Sequence, residues 1–203
     1  MKSIWTLGSH EIAEYPLLTG DTEVDVVIVG GGITGLTIAL ALVGSGQRVM
    51  VLEAARVGAG VTGGSTGNLY STLASGQAPL RQKWGELAAA ETVQARAEAI
   101  DYIEATIQRV AIDCHFQRQP IYRLLTGKHQ QAHQSLDDEL DALVSAGLDA
   151  EIADGPRLPF DSWGVRIANQ AQFNPLHYVQ GLASALSGEG VIIHEHSPVR
   201  EID

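Results

Sequence analysis

A single cysteine, Cys114, excludes an intramolecular disulfide and any zinc or iron–sulfur site assembled from several cysteines of this chain. A reducing cytoplasm is the expected compartment. Basic runs are equally absent. With 13 Lys and Arg against 24 Asp and Glu, a formal net charge of −11 excludes the clustered cationic surface that a nucleic acid or an anionic membrane requires. Aromatic residues make up only 5% of the chain, yet 45% is hydrophobic and 18% charged, the balance of a soluble globular protein with a core of its own. The opening residues mix Lys2, His10, Glu11 and Glu14 with Pro16, which leaves no uninterrupted apolar stretch for a signal peptide. Residues 24–43 approach membrane-spanning length only by counting glycines and threonines, so no transmembrane helix is expected.

Residues 1–23 read as a surface arm, with Pro16 and Thr19-Gly20-Asp21-Thr22 marking turns before regular structure begins. Asp25-Val26-Val27-Ile28-Val29 is a β-branched run of the kind found in parallel strands buried on both faces, and glycines stop it. A buried helix follows over 33–43, ended by Gly44 and Gly46, and a second strand over 48–53. Strand, helix and strand make a βαβ unit, whose crossover is right-handed. Residues 57–78 form a long loop rich in Gly, Ser and Thr. Leu87, Val93, Ala97, Ile100, Ile103 and Ile107 recur at helical steps and predict an amphipathic helix over 85–110. Short strands are expected at Phe116, at 121–125 and at Arg166-Ile167, with a polar-faced helix over 129–146. Pro175 opens a helix to about Leu186, and Val191-Ile192-Ile193 reads as a strand returning to the first sheet.

The chemistry sits at the first turn. Gly-x-Gly-x-x-Gly alone is a weak signal among 22 glycines, but here it lies between a strand and a helix. Gly30 would close the strand, Gly32 would admit a pyrophosphate to the backbone, and Gly35 would let helix and strand pack. The N–H groups of the new helix, at Ile33 and Thr34, point their dipole at the same spot, so a diphosphate is held without arginine. Glu53 comes 23 residues after Gly30, at the carboxyl end of the second strand. There it can accept hydrogen bonds from both ribose hydroxyls of an adenosine, and its charge repels the 2′-phosphate of NADP. FAD and NAD present the same ADP half to such a site.

A resemblance separates them. The run 49–68, with Glu53-Ala54-Ala55-Arg56-Val57-Gly58-Ala59-Gly60-Val61-Thr62-Gly63-Gly64-Ser65-Thr66-Gly67-Asn68, resembles the D-amino-acid oxidase-like family of FAD-dependent oxidoreductases. So do the lead-in Tyr15-Pro16-Leu17-Leu18, the stretch 116–125 and Phe173-Asn174-Pro175-Leu176-His177-Tyr178. The Thr-Gly-x-Ser/Thr-Thr loop is similar to that of a subset often fused to a Rieske domain, in which histidine is common where this chain has Asn174. The resemblance implies an α/β fold: a Rossmann-like FAD/NAD(P)-binding domain with part of an α+β substrate domain. It implies FAD as cofactor and Gly30, Gly32, Ile33, Thr34, Gly35, Glu53, Ala54, Arg56, Gly60, Thr62, Gly63, Ser65 and Thr66 as its contacts, with Val199 meeting the adenine. The expected division is an arm at 1–23, the FAD-binding segment at 24–112, a partial substrate domain at 113–172 and a return to the FAD-binding domain at 173–203. Family members continue with a β-meander, more of the substrate sheet and a segment over the flavin, so the chain is expected to be an N-terminal half. The implied reaction is oxidation of an amino acid or amine. The alternatives are an NAD-dependent dehydrogenase, or a nucleotide-binding half-chain inactive until a second polypeptide joins it. No catalytic residue is assigned.

Other patterns point away from chemistry. His129 and His133 have the spacing of a zinc-protease helix, but Gln130 replaces the catalytic glutamate. His194 and His196 lack a third ligand, and no metal site is expected. Cys114 and His115, as neighbours on a strand, point to opposite faces, so a buried structural cysteine is the reading. Asp137-Asp138-Glu139 with Asp141 reads as a solvated helix face.

Overall fold

The computed structural model describes residues 3–6, 13–125, 130–154 and 163–202, and divides the chain into two compact units. Unit 1 comprises 1–67, 107–115 and 173–203, and unit 2 comprises 68–106 and 116–172. This division groups 68–106 with the later strands, whereas the boundary expected from the sequence kept that stretch with the nucleotide segment.

Unit 1 holds a three-stranded parallel sheet in the order β1-β2-β7, with β1 at Val26–Val29, β2 at Val49–Leu52 and β7 at Ile192–His194. Val26 pairs with Val49 and Val29 with Leu52, while Met50 to Leu52 pair with Ile192 to His194. Helix α1, Ile33–Leu42, buries Gly35, Leu36 and Ala39, of which Gly35 and Ala39 are the small positions that let it lie close to the strands. Helix α5, Pro175–Gly188, buries Leu176, Tyr178, Val179, Leu182, Ala183 and Leu186, spaced three and four apart as a core-facing stripe. It starts where Pro175 fixes φ, and Asn174 caps it by accepting from Leu176 N and His177 N at 3.0 and 3.1 Å. Cys114 is buried, as expected, and its carbonyl accepts Asn174 N–H at 2.7 Å.

One expectation fails for β1. Its apolar run is not covered on both faces: Ile28 is buried, but Val27 and Val29 are 50% and 57% exposed. An apolar run reports what a strand can bury, and β1 lies at the edge of its sheet, paired with β2 alone among the described residues.

Unit 2 is built on β6, Trp163–Gln172, which pairs antiparallel with β3 at Asn68–Leu69, β4 at Gln117–Leu125 and β5 at Ala150–Asp154. The separate short strands expected around Phe116 and 121–125 form the single strand β4, whose register shifts between Gln119 and Ile121. Pro120 sits at that shift and has no N–H to give the ladder. The expected helix over 85–110 is α3, Glu86–Val110, preceded across Gly85 by α2, Gln77–Trp84. Helix α4, Gln130–Ser145, sets Leu136 and Leu143 against Val165 and Ile167, with Ile121, Leu140 and Leu148 packed around them. On this helix Glu139 is only 5% exposed, so the solvated acidic face does not include it. Its carboxylate accepts Gln77 N and Ala78 N, each at 2.8 Å, and thereby caps the positive end of α2. His129, and the side chain of His133, lie outside the described residues.

Candidate functional site

The glycine turn is fixed by backbone contacts that leave no room for side chains. Gly30 ends β1 with φ of 104° and donates its N–H to Leu52 O at 2.8 Å, which ties the turn to β2. A Cβ on Gly35 would overlap the Gly30 carbonyl oxygen and stand 3.2 Å from Ile28 Cγ2, so only glycine lets α1 start so close to β1. Gly32 is the extended N-cap residue of α1 and has no side chain to satisfy the helix. Thr62 supplies one cap instead: Ile33 N–H donates to its Oγ1 at 3.1 Å. Among the described residues the N–H groups of Gly32 and Thr34 have no partner, so the helix presents open donors backed by its dipole.

Glu53 stands beside this turn. Its Oε2 accepts Gly31 N–H at 2.7 Å and its Oε1 accepts Ala55 N–H at 2.8 Å. Each carboxylate oxygen offers two lone-pair directions, so both can still accept a hydroxyl. The loop that follows is tied back to the turn by Gly58 N–H, which donates to Gly31 O at 3.0 Å, and by Gly63 N–H, which donates to Gly58 O at 2.8 Å. A Cβ on Gly63 would overlap that same Gly58 oxygen. Thr62–Gly64 form a 3-10 turn, and Trp5 donates its indole N–H to Ser65 O at 2.7 Å.

These bonds bring Gly30, Gly32, Ile33, Gly35, Glu53, Thr62 and Gly63 into one site. Ser65 lies along the same loop, held by its backbone. Thr34, Ala54, Gly60 and Thr66 are exposed, with no side-chain partner. Arg56 turns elsewhere, pairing through Nη1 with Glu14 Oε1 at 2.9 Å and through Nε with Glu195 Oε2 at 3.2 Å. Val199 is half-buried beyond β7 and makes no hydrogen bond to the turn. Sequence reasoning missed Gly31 and Gly58, whose backbones complete the cradle, and Glu195, whose partners Val57 and Tyr15 lie 138 and 180 residues away. No local spacing carries that last signal. His194, which lacked a third metal ligand in the sequence, has Nδ1 2.9 Å from Pro16 O, a contact that fastens the N-terminal arm to β7. No cluster of three metal-ligating side chains occurs among the described residues, and none of their helices is long and apolar enough to cross a membrane.

Open N–H donors at a helix start, a glycine cradle and a carboxylate with acceptor capacity beside them fit the ADP half of a dinucleotide. The model of the DAO family, FAD dependent oxidoreductases, matches residues 25–203. The chain belongs to the DAO family of FAD-dependent oxidoreductases. FAD is therefore the cofactor to set against the site, and the residues present fit its ADP half. The putative Rieske 2Fe-2S iron-sulfur protein YhfW of Bacillus subtilis is 31% identical over 195 residues, covering 96% of this chain and 38% of that protein. The gamma-glutamylputrescine oxidoreductase of Escherichia coli is 25% identical over 204 residues, covering 98% and 48%. Among solved structures, the L-amino acid deaminase of Proteus vulgaris superposes with a TM-score of 0.72 at 16% identity, covering 95% of this chain and 44% of that one. Glycine oxidase from Bacillus cereus gives 0.69 at 20% identity, covering 89% and 48%. At such identities the structural likeness is one of fold. This member of the DAO family spans about half the length, or less, of the curated relatives it matches: 38% of the Bacillus subtilis protein and 48% of the Escherichia coli one.

Proposed function

We propose that this chain supplies the FAD-binding portion of an oxidoreductase that oxidises an amine or amino acid at the carbon bearing the nitrogen. The observation that carries the cofactor reading is the pairing of Glu53, oriented by Gly31 and Ala55 N–H groups, with the open N–H donors of Gly32 and Thr34. The helix start would hold the diphosphate, and Glu53 would hold the ribose. Thr62, now on Ile33 N–H, would offer its hydroxyl to a phosphate, and Gly60, Gly63, Ser65 and Thr66 would line the cofactor along the loop. Arg56 and Val199 remain more distant candidates. Bound FAD would accept the hydride that leaves the substrate carbon. The substrate class is supported by the names of relatives that act on amines and amino acids, the gamma-glutamylputrescine oxidoreductase and the glycine oxidase among them.

A second reading draws on β1. Val27 and Val29, on the edge strand β1, leave half their surface open, and the chain matches only about half the length of its relatives. Both observations favour a nucleotide-binding chain that acts only with further polypeptide, supplied in the same protein or by a second chain. Cytoplasmic residence fits the single buried cysteine.

The test is to purify the chain natively, record its visible spectrum and identify any nucleotide released on denaturation. A yellow protein that releases FAD is the expected result. A folded, colourless chain that takes up NAD but no FAD rejects the flavin reading.

A further inference from the structure

Glu195 follows β7, is 1% exposed, and has no part in the nucleotide contacts above. Its two oxygens hold three groups from two distant stretches. Oε1 accepts Val57 N–H at 2.7 Å, while Oε2 lies 3.2 Å from Arg56 Nε and 3.3 Å from Tyr15 N. A buried carboxylate needs donors to replace its lost water, so these three groups are fixed wherever Glu195 is fixed. Glu195 itself sits in a backbone lace. Glu53 N–H donates to His194 O at 2.8 Å, Ser197 N–H to Glu53 O at 2.9 Å and His196 N–H to Ala55 O at 2.9 Å. The peptide it grips is therefore the one that carries Glu53 and the Ala55 N–H that aims Glu53 Oε1.

We propose that Glu195 is a positioning residue for the adenosine end of the bound nucleotide: by gripping Arg56 and Val57 it sets the Ala55 N–H and, through it, the direction of the Glu53 carboxylate. An amide cannot replace it. Its oxygen would serve Val57 N–H, but its NH2 group would face the two donors of Arg56 and Tyr15. The proposal rests on the nucleotide reading of the turn, and its signature is discrimination at the ribose, which a general loosening of the fold does not change.

The experiment titrates the wild-type chain and Glu195→Gln with FAD, ADP and 2′-deoxy-ADP by calorimetry, with the fold followed by circular dichroism. Wild type is expected to favour ADP over 2′-deoxy-ADP by about tenfold, the worth of one charge-assisted hydrogen bond. In Glu195→Gln that ratio falls to about twofold. Asn174→Ala removes a polar latch elsewhere in unit 1, the side-chain oxygen that accepts Leu176 N–H at 3.0 Å, and keeps the wild-type ratio. A folded Glu195→Gln chain with the wild-type ratio overturns the proposal, as does an equal fall in Asn174→Ala. A wild-type chain that binds ADP but not FAD rejects the flavin reading and leaves the ratio in force, and one that binds neither overturns both. If Glu195→Gln does not fold, amide hydrogen exchange on the wild type decides. Slow exchange at Val57, slowed further by ADP, supports the grip; exchange at the rate of an open loop overturns it.

Discussion

Each unit anchors a loop on one buried glutamate that also meets an arginine, yet the two anchors do different work. Glu139 in unit 2 serves a helix end. It takes adjacent N–H groups of α2, and Arg123 Nε lies 3.6 Å from its Oε1. Glu195 in unit 1, near the far end of the chain, joins two stretches of its first third, at Tyr15 and at Arg56-Val57, beside the segment that carries Glu53. Loss of the first should be read in stability alone, and loss of the second in ligand discrimination.

Substitutions can break or sharpen that contrast. The largest effect is expected from Gly35→Val, because the new side chain meets the Gly30 carbonyl and the Ile28 side chain. Unit 1 should lose its folded state, seen as a lost cooperative melt and no nucleotide binding. Glu139→Ala leaves the α2 amides and a half-buried Arg123 without their anion. It should cost about 3 kcal/mol in denaturant melts while ADP affinity stays within twofold. A large change in ADP affinity would erase the contrast between the anchors. Glu53→Gln should weaken ADP about tenfold, roughly 1.4 kcal/mol by titration. Asn174→Ala removes the cap of α5 and should lower stability by about 1 kcal/mol.

The smallest effect concerns pH. Burial first, and the Glu195 charge second, raise the Tyr15 phenol above its ordinary value. Its neutral form is thus favoured by folding, and that contribution is complete below about pH 10 and is lost as pH rises through the higher folded value. Tyr15→Phe should flatten the loss of stability above pH 10, which melts across that range would reveal.

The sequence made the site legible where function is local. Gly30 to Gly35 and Glu53 lie within one βαβ unit, and the geometry that needs glycine there is written in consecutive residues. Glu195 and Glu139 were opaque because a buried acid is defined by its partners, which lie 138 and 62 residues away. Charge spacing placed Glu139 on a solvated face, since periodicity cannot say which turn of a helix meets another helix's end. β6 read as two residues, Arg166-Ile167, because Asn169 and Gln170 interrupt its apolar pattern. Those polar side chains have uses: Gln170 Oε1 accepts both Ser71 N–H and Ser71 Oγ–H, at 2.7 and 2.9 Å. β5 has a single large apolar residue, Ile152, and gave no signal by itself.

The interleaving of the two units sets an order of events during synthesis. β1, α1 and β2 leave the ribosome early, but the strand and helix that complete their sheet, β7 and α5, follow the whole of unit 2. A nascent chain stopped at residue 172 contains all of unit 2 and none of β7 or α5. The nucleotide turn therefore waits for β7 and α5 until the whole of unit 2 has been made. An early-made motif thus depends on a strand and helix made after a whole intervening unit, and the long-range closure that joins β7 to β2 is the slow kind of folding step that exposes a chain to aggregation.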